Sequence, residues 1–174
     1  MLGAMLLDQA AMQARMASYF TAEKNESAFF VIAGLLAVVC SAALLRVGGP
    51  FRGMLAPLLL IGLIQLGVGG SVYLRTDRQV AALTSQLHQA PDALRREETA
   101  RMAQVMKNFR LYKMIEILVL GAGVALVFAF PYPAVLHGVG IGCIIQGSLM
   151  LVLDLFAEAR GHDYLAALAA LSSG

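Results

Sequence analysis

Four long apolar runs dominate the chain, at residues 27–47, 53–74, 111–130 and 134–156. Each meets the length of about 20 mainly apolar residues that a helix needs to cross a bilayer's hydrocarbon. The links inside two pairs are short. Val47-Gly48-Gly49-Pro50-Phe51-Arg52 separates the first run from the second, and Pro131-Tyr132-Pro133 separates the third from the fourth. So few residues cannot recross a membrane, so each pair is an antiparallel helical hairpin. The pattern predicts an all-α integral membrane four-helix bundle.

The connection between the second and third runs, residues 75–110, is polar but does not have the composition of a loop. It contains no Gly, its only Pro is Pro91, and helix formers flank that proline on both sides. Pro91 followed by Asp92 reads as a helix stop and restart, since Pro suits a first helical turn and an acid suits a helix N-terminus. Helices 2 and 3 are therefore expected to run on as an antiparallel hairpin of about 20–25 Å at 1.5 Å per residue. Tyr73, Thr76, Val80, Leu83 and Leu87 on one side, and Leu94, Glu98, Met102, Val105, Phe109, Tyr112 and Glu116 on the other, step by three and four, the spacing of a coiled-coil seam. Glu97 and Arg101 stand at i,i+4 on the flank, a favourable pair.

The ends are amphipathic. Leu2, Met5, Leu6, Met12, Met16 and Phe20 fall on one side of a helix, with Asp8, Gln9, Gln13 and Arg15 elsewhere. Residues 1–26 are thus expected to form an interfacial helix or one docked on the bundle, and they lack the basic start of a cleavable signal. Gly161 reads as the end of the fourth helix, leaving a short amphipathic helix at 162–171.

Charge sets the orientation. Arg15, Lys24, Arg75, Arg78, Arg95, Arg96, Arg101, Lys107, Arg110, Lys113 and Arg160 lie on the side of the termini and the long hairpin, against Arg46 and Arg52 opposite. The positive-inside rule makes that side cytoplasmic, so both termini point inward. Composition agrees with a membrane location. Of 174 residues, 59% are hydrophobic and 14% charged, and mean hydropathy is +0.74. A soluble domain is nearer 25% charged. A formal charge of +2 excludes a strongly basic nucleic-acid binder. Tyr and Phe must serve at the interfaces in place of the absent Trp. Cys40 and Cys143 lie inside apolar runs and read as packing residues.

Polar groups at membrane depth are where function is sought. Glu116, Asp154 and Glu158 fall near the cytoplasmic ends of their spans, at the level of Glu23, Lys24, Glu26, Arg75, Arg78, Arg110 and Lys113. They form either a ring of ion pairs or a mouth that binds a cation or proton. Gln65 and Gln146 sit near the middle of their spans and can bond to each other if helices 2 and 4 are neighbours, or line a polar path. The basic residues Arg75, Arg78, Arg95, Arg96, Arg101, Lys107, Arg110 and Lys113 form a solvated face or a site for anionic lipid heads or an acidic partner. His88, His137 and His162 are too dispersed for a metal or haem site, no metal or other cofactor is implied, and phosphate-loop, nucleophile-elbow and zinc-protease motifs are absent.

The expectation is a non-enzymatic bacterial inner-membrane interaction protein: an assembly subunit, a regulator or an immunity-type protein. Its partners would be membrane lipids and a protein partner or second copies of itself, but no nucleic acid. The competing reading is a small oligomeric channel or carrier that uses Gln65, Glu116, Gln146, Asp154 and Glu158.

Overall fold

The computed structural model describes residues 2–171, with side chains from Gln9 onward. The side chains of Leu2, Met5, Leu6 and Asp8, part of the expected amphipathic segment, lie outside the described residues. The described residues form four helices: α1 (Leu2–Val47), α2 (Leu55–Gln89), α3 (Pro91–Ala129) and α4 (Val135–Ala170), with a 3-10 turn at Pro50–Met54. All four are long and apolar enough to cross a membrane, and they fit a multi-pass membrane protein.

The turns follow the local chemistry. Gly48 and Gly49 take φ of 71° and 66°, the left-handed region that glycine enters without a side-chain penalty. Pro91 opens α3 at its first position, with Asp92 in the first turn, so α2 and α3 meet at the stop that Pro91 implies. The start of α1, the end of α4 and this α2–α3 turn share one end of the bundle, here called the terminal end; the 47–50 and 130–134 links form the loop end.

Two boundaries differ from those the sequence implies. The N-terminal amphipathic segment is not a separate helix, because α1 runs unbroken for 46 residues. The polar stretch before Ser27 contains no Gly or Pro to stop it, and the Ser27 hydroxyl donates to the Glu23 carbonyl one turn back. Likewise α4 continues through Gly161 to Ala170. That glycine serves close packing instead of termination: a Cβ there would lie 2.7 Å from Met106 Sδ.

Glycine positions explain which helices touch. α4 presents two faces. Gly138 and Gly142 approach Pro50, Met54 and Pro57, while Gly140 and Gly147 approach α3 at Gly123 and at Glu116–Leu120. Asp154, Gly161 and Leu168 continue that second face at seven-residue intervals, and all three are buried. A third close seam joins α1 and α2, where Gly34 meets Gly62 and Gly69 meets Ser27. Small residues of this kind let helix backbones approach closely in lipid. α2 and α4 are the inner pair; among the described residues α1 and α3 meet only through long side chains, such as Arg101 over the Phe20 ring at 5.8 Å.

The bundle changes character along its axis. Among the described residues, every exposed large apolar side chain lies within 29–74 or 111–156, with Phe128 reaching 86% exposure. Those bands coincide with the four apolar runs. At the terminal end the pattern inverts: Met12, Met16, Phe20, Leu87, Leu94, Met102, Tyr164, Leu168 and Leu171 form one buried core drawn from all four helices. An apolar outside around a glycine-lined inside suits lipid, and an apolar inside suits water. The 75–110 segment thus packs against α1 at Met12, Met16 and Phe20 and against Tyr164, Leu168 and Leu171. Tyr73 and Tyr112 lie off its seam and are exposed.

Gly140→Val tests the seams. A Cβ at this position would lie 2.6 Å from the Gly123 carbonyl oxygen, so overpacking is expected to cost about 1–3 kcal/mol. Gly121→Ala, where a Cβ meets open space, leaves stability within about 0.5 kcal/mol. Reversible unfolding in mixed detergent micelles measures both.

Candidate functional site

The polar groups of the interior form successive levels from mid-span to the terminal end. Deepest is the contact of the inner pair, where Gln65 Nε2 donates to Gln146 Oε1 at 3.1 Å. Gln65 is 0% exposed. The amide bond, one of the two roles the mid-span depth of the glutamines allows, is present.

The next level gathers Glu116 and Lys113 from α3 with Asp154 and Glu158 from α4. Lys113 Nζ pairs with Glu158. Glu116 is 4% exposed, and neither of its carboxylate oxygens has a hydrogen-bond partner. The charged groups that face it are Asp154 and Lys113. Glu116 and Asp154 lie in the α3–α4 seam, where a Cβ on Gly147 would lie 3.4–3.5 Å from the Leu120 and Glu116 backbone and Gly161 meets the Met106 side chain.

Toward the terminal end, α1 joins. Arg160 pairs with Glu26, and Lys24 bonds Asp77 at 2.6 Å on the outside. Glu23 lies just beyond, where burial pushes its carboxyl above the ordinary range despite Arg75 and Arg101 nearby. The last level is Glu98, 3% exposed, which receives two hydrogen bonds of 2.7 Å from Arg101. Tyr19 and Tyr164 stack beside it with centroids 4.5 Å apart. Burial, with Glu23 adding, pushes the Tyr19 phenol up to about 12, and burial raises Tyr164 too. Both are neutral, apolar-walled contacts for the ion pair.

Partner choice departs from spacing in one place. Arg101 takes Glu98 at i,i+3, whereas Glu97 accepts from Gln86 Nε2 across the α2–α3 turn at 2.8 Å. Glu98 faces the core and Glu97 faces out, so the inward cation-binding acid is the one that burial selects. Three of the eight cations read as lipid or partner contacts are likewise turned inward or engaged. Arg101 and Lys113 hold acids, and Arg95 donates to the Leu171 carbonyl. The other five, Arg75, Arg78, Arg96, Lys107 and Arg110, are exposed, with no ion-pair partner among the described residues.

The inward roles of Tyr19 and Tyr164 escape sequence reasoning, and spacing puts Glu98 on the seam and Glu23 and Glu26 in the charged layer without naming their neighbours, because each neighbour depends on which side chain another helix delivers. Among the described residues no three His, Cys, Asp or Glu side chains converge to hold a metal ion, and Cys40 and Cys143 are free thiols. The chain matches no protein-family model, no curated protein and no solved structure.

Two tests follow from this geometry. Gln65→Leu and Gln146→Leu each strand a buried amide and are expected to cost about 1–2 kcal/mol. The double variant costs less than the sum of the two when unfolded in a double-mutant cycle. Glu23 binds its proton more tightly folded than unfolded, so its contribution falls as pH rises from the ordinary glutamate range through its raised value. Unfolding measured across that window should show a decline that Glu23→Gln flattens.

Proposed function

We propose that this chain is a non-enzymatic interaction protein of the bacterial inner membrane, with both termini cytoplasmic, that meets its partner through the 75–110 hairpin. The observation that carries the reading is a division of charge. Cations that face the interior are matched to acids, and Arg75, Arg78, Arg96, Lys107 and Arg110 are left exposed and unpaired among the described residues.

Depth divides these five further. Arg75, Arg78, Lys107 and Arg110 flank the span ends, at the level of lipid headgroups. Arg96 stands near the α2–α3 turn, roughly 20 Å further along at 1.5 Å per residue, beyond a headgroup layer. The four would hold anionic lipid, each contributing about 1 kcal/mol near the surface, and Arg96 with exposed His88 would face an acidic protein. Deleting the hairpin is a poor test, since Leu87, Leu94 and Met102 belong to the buried core.

A second reading, a small oligomeric channel or carrier, is favoured by one observation, the unpartnered Glu116 carboxylate in the α3–α4 seam. Loss of solute flux in proteoliposomes of a folded Glu116→Gln variant would favour that reading.

Photo-crosslinking in cells from positions 88 and 96 tests the interaction reading. It is expected to give one discrete partner band that Arg96→Glu abolishes without unfolding the bundle. Crosslinks to lipid alone would contradict it. Replacing Arg75, Arg78, Lys107 and Arg110 together by Gln should separately strip retained anionic lipid, read by native mass spectrometry.

A further inference from the structure

The interior of the terminal half holds more acid than base. Arg101, Lys113 and Arg160 are each committed to one carboxylate, Glu98, Glu158 and Glu26 respectively. That leaves Glu23, Glu116 and Asp154 without an ion pair among the described residues. Glu23 adjoins Arg75, Arg101 and Arg160. Glu116 and Asp154 have only Lys113 as a facing cation, and Glu158 adds a further negative charge beside Asp154. Neither α1 nor α2 supplies a charged group facing the pair among the described residues.

Two carboxylates that face each other offer acceptors only. This accounts for the two unpartnered oxygens of Glu116, although Asp154 is its neighbour across the seam. A buried charged group with no donor and no matched counter-charge is among the costliest arrangements a fold can hold. Either a proton or a metal cation would resolve it. The donor set disfavours the metal, since no three acid, His or Cys side chains converge here. A proton needs only two oxygens, supplies the missing donor, and removes the repulsion between like charges.

We propose that Glu116 and Asp154 form a proton-binding site in which the two carboxyls share a single proton at neutral pH. The proton comes from water, sits on one carboxyl oxygen and is donated to the other, so the pair carries one negative charge instead of two beside the Lys113–Glu158 ion pair. Losing it places a second negative charge in the α3–α4 seam between Gly147 and Gly161, beside Glu158 and with Lys113 the one facing cation among the described residues. The site is thus a pH-sensitive joint between α3 and α4 just inside the terminal end of the spans. It stands on geometry separate from the partner surface and does not require that reading.

Infrared difference spectroscopy of the full chain in lipid nanodiscs tests the site. At neutral pH the protein should show a protonated carboxylic C=O band that shifts in heavy water and disappears on alkaline titration. Glu116→Gln keeps a donor facing Asp154 and preserves shape, so it should remain folded while losing the whole band. Glu23→Gln, which removes the other unpaired interior acid, should retain it. No protonated band at neutral pH would overturn the proposal, as would a band that survives Glu116→Gln. A band that sodium or potassium chloride discharges at constant pH would overturn it in favour of a metal cation.

Discussion

The fold depends on how closely α4 can approach its neighbours on two faces at once. Gly138 and Gly142 admit the 3-10 turn and the start of α2, while Gly140 and Gly147 admit α3. In lipid, helices gain little from burying apolar surface against one another, so close van der Waals contact and a few polar bonds must hold them. The Gln65–Gln146 bond sits where the first face of α4 meets α2, and Asp154 lies on the second, one heptad from Gly147 and one from Gly161. Hydrogen bonding on one face and acid placement on the other therefore both follow from the register of small residues on a single helix.

That register also explains the change along the axis. Glycine seams draw backbones together over the spans and leave the large apolar side chains outside. At the terminal end Met, Leu and Tyr side chains wedge the helices apart around a buried core. The hairpin of α2 and α3 does not stand alone. The stretch of α1 from Met12 to Phe20 and the last turns of α4 close it, which is why each of these helices is longer than a bilayer requires. Charges follow the same division: ion pairs line the interior between seam and core, and unpaired cations remain outside.

Much of this was legible in the sequence. The lengths of the four apolar runs predict the exposed apolar bands, Pro91 marks the α2–α3 turn, and the mid-span depths of Gln65 and Gln146 allow the bond that the adjacency of α2 and α4 then makes. What was not legible required knowledge of a neighbour. The cluster Glu23-Lys24-Asn25-Glu26 looks like a boundary, yet each of its charged residues but Glu23 is paired with another helix, so α1 passes through. Gly161 looks like a helix end until Met106 is seen against it. Spacing favours Glu97 for Arg101, and burial gives the place to Glu98.

The proposed working surface is the set of outer cations on α2 and α3, outside an interior in which Arg101, Lys113 and Arg160 are each held by an acid. Hydrogen–deuterium exchange of the full chain in nanodiscs, with anionic against zwitterionic lipid, tests it most directly. The account predicts stronger amide protection in peptides covering 72–80 and 105–112 with anionic lipid, and no change over 62–69 and 142–150. Protection that ignores lipid charge, or that shifts instead across the Gln65–Gln146 contact, would contradict it.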